Sequence, residues 1–266
     1  MLDVCNDFYD EVTELKNFLK TLDEEVWHRE TAFNQWSPWD IIAHLHFFDE
    51  FSLVALRGGD AFDYEKGELL KDYKEGKSNQ MIARLKYTDL GANELLKKWE
   101  NTAFKLSKSL GERNLKMRIP WFGPDMGVQM FVTARYMETW AHAQAIYDLV
   151  GEKRNHSDRI KNVAVIGLKT FNWTFNNRKV DVPGDTPYLK LISPSGEIWE
   201  WNDKNEKSSI IGSAVDFCQV VTQVRNIKDT SLTLFGEAAY KWMDIAQCFA
   251  GPPVDPPKAG KRRVES

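Results

Sequence analysis

The apolar residues of this chain keep two different periods, and the change between them constrains the fold more than any other feature. Up to about residue 150 they recur every three or four positions, the spacing of one face of a helix. Val4, Phe8, Val12, Leu15, Phe18, Leu19 and Leu22 form a first stripe over about 3–21. Ser37-Pro38 opens a second helix, with a capping hydroxyl and a proline at the first helical position. That helix runs through Trp39, Ile42, Ala43, Leu45, Phe48, Phe51 and Leu53 and stops at Gly58-Gly59. Residues 60–77 are acidic and polar and read as a loop. A third helix is expected over about 78–110, with a break near Gly91. A turn-rich segment, 119–127, then leads to a fourth helix over about 128–150. Four helices in up-down order make a bundle.

Beyond the polar stretch 152–158 the pattern changes. Residues 158–178 read as a linking helix. YLKLIS (188–193) alternates at period two, Pro194-Ser195-Gly196 turns the chain, and EIWEWN (197–202) alternates back, which predicts a hairpin. Helices are expected over 214–224 and 237–249, with a strand over 230–236 between them. The expected organisation is a helical domain over 1–153, an α+β domain over 154–254 and a mobile tail over 255–266. Length supports this, since 266 residues can bury two cores.

A formal net charge of -4 offers no basic footprint for nucleic acid. No apolar run approaches the roughly 20 residues that span a bilayer, so no membrane partner is expected. The acidic, amphipathic start does not resemble a secretory signal. Cys5, Cys218 and Cys248 are odd in number and widely spaced, which suits reduced thiols in a cytoplasm.

Chemistry concentrates on two helices. Glu138 and His142 lie four residues apart in ARYMETWAHAQAIYDLV, so they stack on one face. His44 lies in WDIIAHLHFF; an inward His44 would complete a His/Glu/His set from two facing helices. Three such donors with open positions describe a catalytic divalent-metal site rather than a closed structural one. His46 faces elsewhere, because two positions on a helix differ by about 200°. Taken singly, each feature has a plain alternative: an exposed Glu–His ion pair, or a hydrogen-bonded core histidine.

The segments WSPWDIIAHLHFFDE (36–50), PWFGPDMG (120–127) and ARYMETWAHAQAIYD (134–148) resemble the metal-binding signature of the mycothiol-dependent maleylpyruvate isomerase family. That family belongs to the DinB-like four-helix-bundle superfamily. SAVDFCQVVTQ (213–223) and GEAAYKWMDIAQCFAGPP (236–253) resemble the C-terminal module of an uncharacterised metal-binding branch, with a sterol-carrier-like α+β fold. The resemblance makes His44, Glu138 and His142 the metal ligands, with zinc as the first expectation. Nickel, iron and manganese stay open, because mixed His and carboxylate donors suit several ions. It also implies a low-molecular-weight thiol as co-substrate. Thiolate addition to a conjugated double bond, rotation and elimination give cis–trans isomerisation, and addition without elimination gives conjugation. Relatives commonly carry Asp after the glutamine that corresponds to Gln144; here Ala145 stands there. The Lys- and Asn-rich composition is also unlike that of the high-GC bacteria that make mycothiol.

Supporting residues carry paired readings. Asp40 either accepts the second ring N–H of His44 or serves as a first-turn carboxylate. Arg135 either clamps a substrate carboxylate or makes a surface ion pair. Trp121, Phe122 and Met126 either roof the pocket or pack a helix entry, and Trp39 and Trp140 either wall the site or fill the core. Gln144 and Asp148 read as helix surface. The expected function is a divalent-metal-dependent isomerase or thiol S-transferase acting on a small organic acid or thiol adduct, as a monomer or homodimer. The alternatives are a metal-dependent hydrolase or lyase that needs no thiol, and a non-catalytic metal- and ligand-binding protein.

Overall fold

The structure, a computed structural model, describes residues 3–204 and 207–262; the end of the expected tail, 263–266, lies outside the described residues. The chain divides into two compact units, Met1–Ile146 and Tyr147–Ser266. Both are dominated by helix, with a small sheet in the second, and no helix among the described residues is long and apolar enough to cross a membrane.

The first unit opens with α1 (Asp3–Leu19), whose Val4, Phe8, Val12, Leu15 and Leu19 are buried. A 3-10 turn at Glu24–His28 leads to α2 (Pro38–Ala55). Its start is a full capping box. Ser37 Oγ accepts from the Asp40 backbone N–H, and Asp40 Oδ2 accepts from the Ser37 N–H at 2.9 Å. Residues 60–77, expected as a loop, contain α3 (Gly59–Lys74). Only Phe62 and Leu69 are buried there, seven residues apart, too sparse for an amphipathic stripe. Three Lys, two Glu and Leu70 among the remainder are good helix formers, set against two glycines and three aspartates. The helix expected over 78–110 is broken as the sequence suggested, into α4 (Asn79–Tyr87) and α5 (Ala92–Gly111), with Gly91 at the N-cap of the second piece. The turn-rich segment forms a two-stranded antiparallel ribbon, β1 (Arg118–Ile119) and β2 (Met126–Gly127), directly before α6 (Val128–Val150). The core gathers Phe8 and Leu15 from α1, Ile41 and Leu45 from α2, Trp99 and Leu106 from α5, and Phe131 and Trp140 from α6.

In the second unit a 3-10 turn at Asp158–Ile160, α7 (Lys161–Lys169) and α8 (Phe171–Asn177) replace the single linking helix. The hairpin forms as expected, β3 (Tyr188–Ile192) against β4 (Ile198–Trp201). A further strand, β5 (Ser209–Ser213), pairs parallel to β3. It precedes α9 (Ala214–Val221), β6 (Thr233–Phe235) and α10 (Glu237–Ile245), and the strand order is β4-β3-β5-β6. Leu189, Leu191, Trp199 and Ile210 turn their side chains to the buried face of the sheet. Gly167 on α7 permits close packing on α9, since a Cβ there would lie 2.8 Å from Val221 Cγ2. The segment read as a tail makes bonds onto this unit up to Arg262, which donates to the Gln223 carbonyl at 2.6 Å; Asn226 donates to the Pro257 carbonyl at 2.8 Å.

Asp40 is fully buried and also accepts from Gln80 at 3.0 Å and from Arg84 Nη2 at 2.7 Å. Burial works to raise its carboxyl, but Arg84, the Ser37 N–H and Gln80 outweigh that and hold it below the ordinary range. A lowered folded pKa stabilises above the unfolded value and is lost as pH falls through the folded one. Asp40→Asn is therefore expected to cost about 1–2 kcal/mol at neutral pH, discounted because Arg84 is more than half exposed. Thermal midpoints measured across pH should show the gap to the parent chain closing below about pH 4. A gap unchanged at acid pH would mean that the charge of Asp40 contributes nothing.

Candidate metal centre

Two helices supply the donors. On α6, Glu138 and His142 stand one turn apart, with His142 Nε2 3.4 Å from Glu138 Oε2. On α2, His44 is 7 % exposed, and its ring centroid lies 4.8 Å from that of His142. One donor atom from each of His44, Glu138 and His142 falls within 4.8 Å of the others. A tetrahedral ion with bonds of 2.0–2.1 Å sets its donors about 3.3 Å apart, so closing on an ion asks for about 1.5 Å of approach. Glu138 is the most exposed of the three side chains.

The state of the donors suits a cation. Burial, then the charges of His142 and Arg135, push His44 well below the usual histidine value, so its ring is neutral at neutral pH. Burial works to raise the Glu138 carboxyl, but the hydrogen bond and charge of His142, then the charge of Arg135, hold it below its ordinary value. His44 Nδ1 is buried with no hydrogen-bond partner. A buried ring nitrogen left so is costly unless something outside the protein meets one side of the ring. Two imidazoles and a carboxylate, converging from two helices, fit a divalent ion.

Aromatic rings hold the histidines in place. Trp36 lies parallel to His142 at 5.8 Å and meets His44 edge-on at 5.0 Å. Phe33 packs its edge on His142 at 4.9 Å, and Phe48 covers His44 at 4.8 Å. Local backbone delivers two of these rings. Asn34 and Gln35 both adopt left-handed φ angles, 50° and 60°, and the Trp36 N–H donates back to the Phe33 carbonyl at 2.9 Å. A left-handed glutamine is uncommon and is kept only where its surroundings over-determine it. Here it turns the chain so that Phe33 and Trp36 both reach the His142 ring.

The other candidate residues fall as follows. Asp40, one reading of which was a partner for His44, spends its oxygens on Ser37, Gln80 and Arg84. Arg135, read as a substrate clamp or a surface ion pair, is 4 % exposed, and its Nε donates to Asp49 Oδ1 at 2.9 Å. Trp39 directs its indole N–H to the Leu90 carbonyl at 3.0 Å, and Trp140 is buried in the core. Trp121 and Phe122 join Phe51 and Phe62 in an aromatic cluster that reaches Phe48. Gln144, expected on the surface, is buried; Asp148 accepts from Arg225 at 2.7 Å within the second unit. His46 stacks on Tyr87 at 4.8 Å, away from the donor group, and burial lowers its pKa to about 4. Sequence reasoning passed over Trp36, although it starts the quoted signature, and Asp49, a carboxylate at an apolar-helix position that called for a partner.

Comparison with known proteins places these residues in a wider group. Residues 8–147 match the family model described as the mycothiol maleylpyruvate isomerase N-terminal domain. Two uncharacterised proteins from two strains of Mycobacterium tuberculosis are each 30% identical over 244 residues, 91% of this chain and 93% of theirs. The crystal structure of the mycothiol-dependent maleylpyruvate isomerase, and that of a histidine-to-alanine mutant of it, superpose with a TM-score of 0.54 at 14% identity. Each covers 88% of this chain and 93% of the solved one, which shows a shared fold.

If stacked rings fix the histidines, Trp36→Ala should weaken binding of added zinc by roughly tenfold or more, the range seen when groups behind metal ligands are removed. Competition against a chromophoric chelator would measure it. Affinity unchanged in Trp36→Ala would remove the aromatic shell from the account of the site.

Proposed function

This chain belongs to the mycothiol maleylpyruvate isomerase N-terminal domain family, and from that membership and the donor group we propose that it is a divalent-metal-dependent enzyme of the isomerase or thiol-transferase type. The observation that carries the reading is the convergence of His44, Glu138 and His142 from two helices, next to a buried ring nitrogen that has no partner. His44, Glu138 and His142 would hold the ion, zinc first among those that accept two imidazoles and a carboxylate. When bound, such an ion lowers the pKa of a thiol or water and polarises a carbonyl.

The chain's own residues supply the surroundings. Phe33, Trp36 and Phe48 keep water from the backs of the imidazoles and leave the half-buried Glu138 at the more open side. A low-dielectric wall of this kind strengthens charge interactions at the donors. The co-substrate in this reading is a low-molecular-weight thiol, and the substrate is a small organic acid or thiol adduct. The same reading assigns α1, α2, α5 and α6 as the four long members of a DinB-like bundle, and the second unit as a sterol-carrier-like module.

Elemental analysis of the purified chain tests this directly. About one equivalent of a divalent metal is expected in wild type and loss of it in both Glu138→Ala and His142→Ala. Thiol-dependent isomerisation or conjugation, once detected, should fall on the order of 100-fold or more in the same variants, since metal assistance supplies several kcal/mol. Metal-free wild type that takes up no added zinc would overturn the reading.

A further inference from the structure

We propose that Asp49 and Arg135 are a positioning pair that sets the spacing between the metal donors of α2 and those of α6; the inference rests on the metal reading above. Arg135, Glu138 and His142 stand at positions i, i+3 and i+7 of α6, so all three lie on one side of that helix. On α2, Asp49 follows His44 by five residues, about 7.5 Å along the axis. Arg135 Nε donates to Asp49 Oδ1 at 2.9 Å, and Trp99 Nε1, from α5, donates to Asp49 Oδ2 at 3.1 Å. One carboxylate thus joins three helices within about two turns of every donor. All three side chains are nearly or fully buried.

A pair present only for stability would look different. Arg135 gives Asp49 a single N–H, not the two-pronged contact that makes arginine pairs strong. Its Nη2 is buried with no hydrogen-bond partner, which an arrangement tuned for stability alone would avoid. Apolar side chains of similar size usually serve stability as well as a buried ion pair or better. What an apolar pair cannot do is fix helix register to a fraction of an ångström through directional bonds. The donors need that precision, because metal sites fail when their supporting groups are loose.

The test uses the full chain and reads zinc dissociation constants by chelator competition, beside the thermal midpoint of each metal-free variant and the visible absorption of bound Co2+. In Asp49→Leu/Arg135→Met both charges leave together, so the fold is expected to persist. Zinc should nevertheless bind 10–100-fold more weakly, with altered Co2+ bands. Arg135→Lys keeps the charge and loses the Nε contact; about tenfold weaker binding is expected, and this variant decides the matter if the double variant does not fold. Zinc affinity within twofold of wild type in a folded variant, with unchanged Co2+ bands, would overturn the pair's role while leaving the metal site standing. Wild type that binds no zinc would overturn the metal reading, and this inference with it.

Discussion

Asp40, His44, His46 and Asp49 are buried on α2, a helix that is apolar on almost every side, and the first unit is arranged around where each finds a partner. Polar groups taken out of water must be bonded or they cost more than a surface contact returns. Asp40 draws in Arg84 and Gln80 from α4 and closes its own helix start. Asp49 draws in Arg135 from α6 and Trp99 from α5. These demands bring three neighbouring helices against α2 with defined registers, beyond what apolar packing specifies. The two histidines differ from the carboxylates, since each keeps a buried Nδ1 without a partner. His46 faces Glu50 at 3.7 Å, whose carboxylate also takes Lys86 and Tyr87. His44 alone of the two meets further donors from a second helix, which is why it marks the site.

Metal-binding imidazoles are commonly held by a hydrogen bond from the second ring nitrogen. His44 and His142 are instead enclosed by the faces and edges of Trp36, Phe33 and Phe48. Ring packing of this kind fixes orientation without adding negative charge beside the donors. The left-handed turn at Asn34-Gln35 is part of this design, because it is what turns both rings of the loop toward His142.

The legible parts of the chain were those whose signals are local. Ser37-Pro38 announces a helix start, Gly91 a break, and Glu138 to His142 a shared face, and each can be read within one or two turns. The hairpin of β3 and β4 was legible for the same reason, with a turn between two alternating runs. What escaped depends on distant partners. β5 is a strand because β3 lies alongside it in parallel register; SIIGS alone carries little alternation, and its Gly212 is a poor strand residue. α3 escaped because two buried side chains on a charged segment leave no stripe. At the site, Asp40 took its first-turn carboxylate reading, closing the start of α2, while Arg135, read as a substrate clamp or a surface ion pair, is buried on Asp49. Asp49 could not be assigned a role until Arg135, 86 residues away, was seen beside it.

The donors, their aromatic shell and the Asp49–Arg135 pair all lie between residues 33 and 142, inside the stretch matched by the family model. Chemistry that depends on the ion is therefore a property any member with these residues can share. Choice of substrate and thiol has to come from positions that the donor set does not constrain.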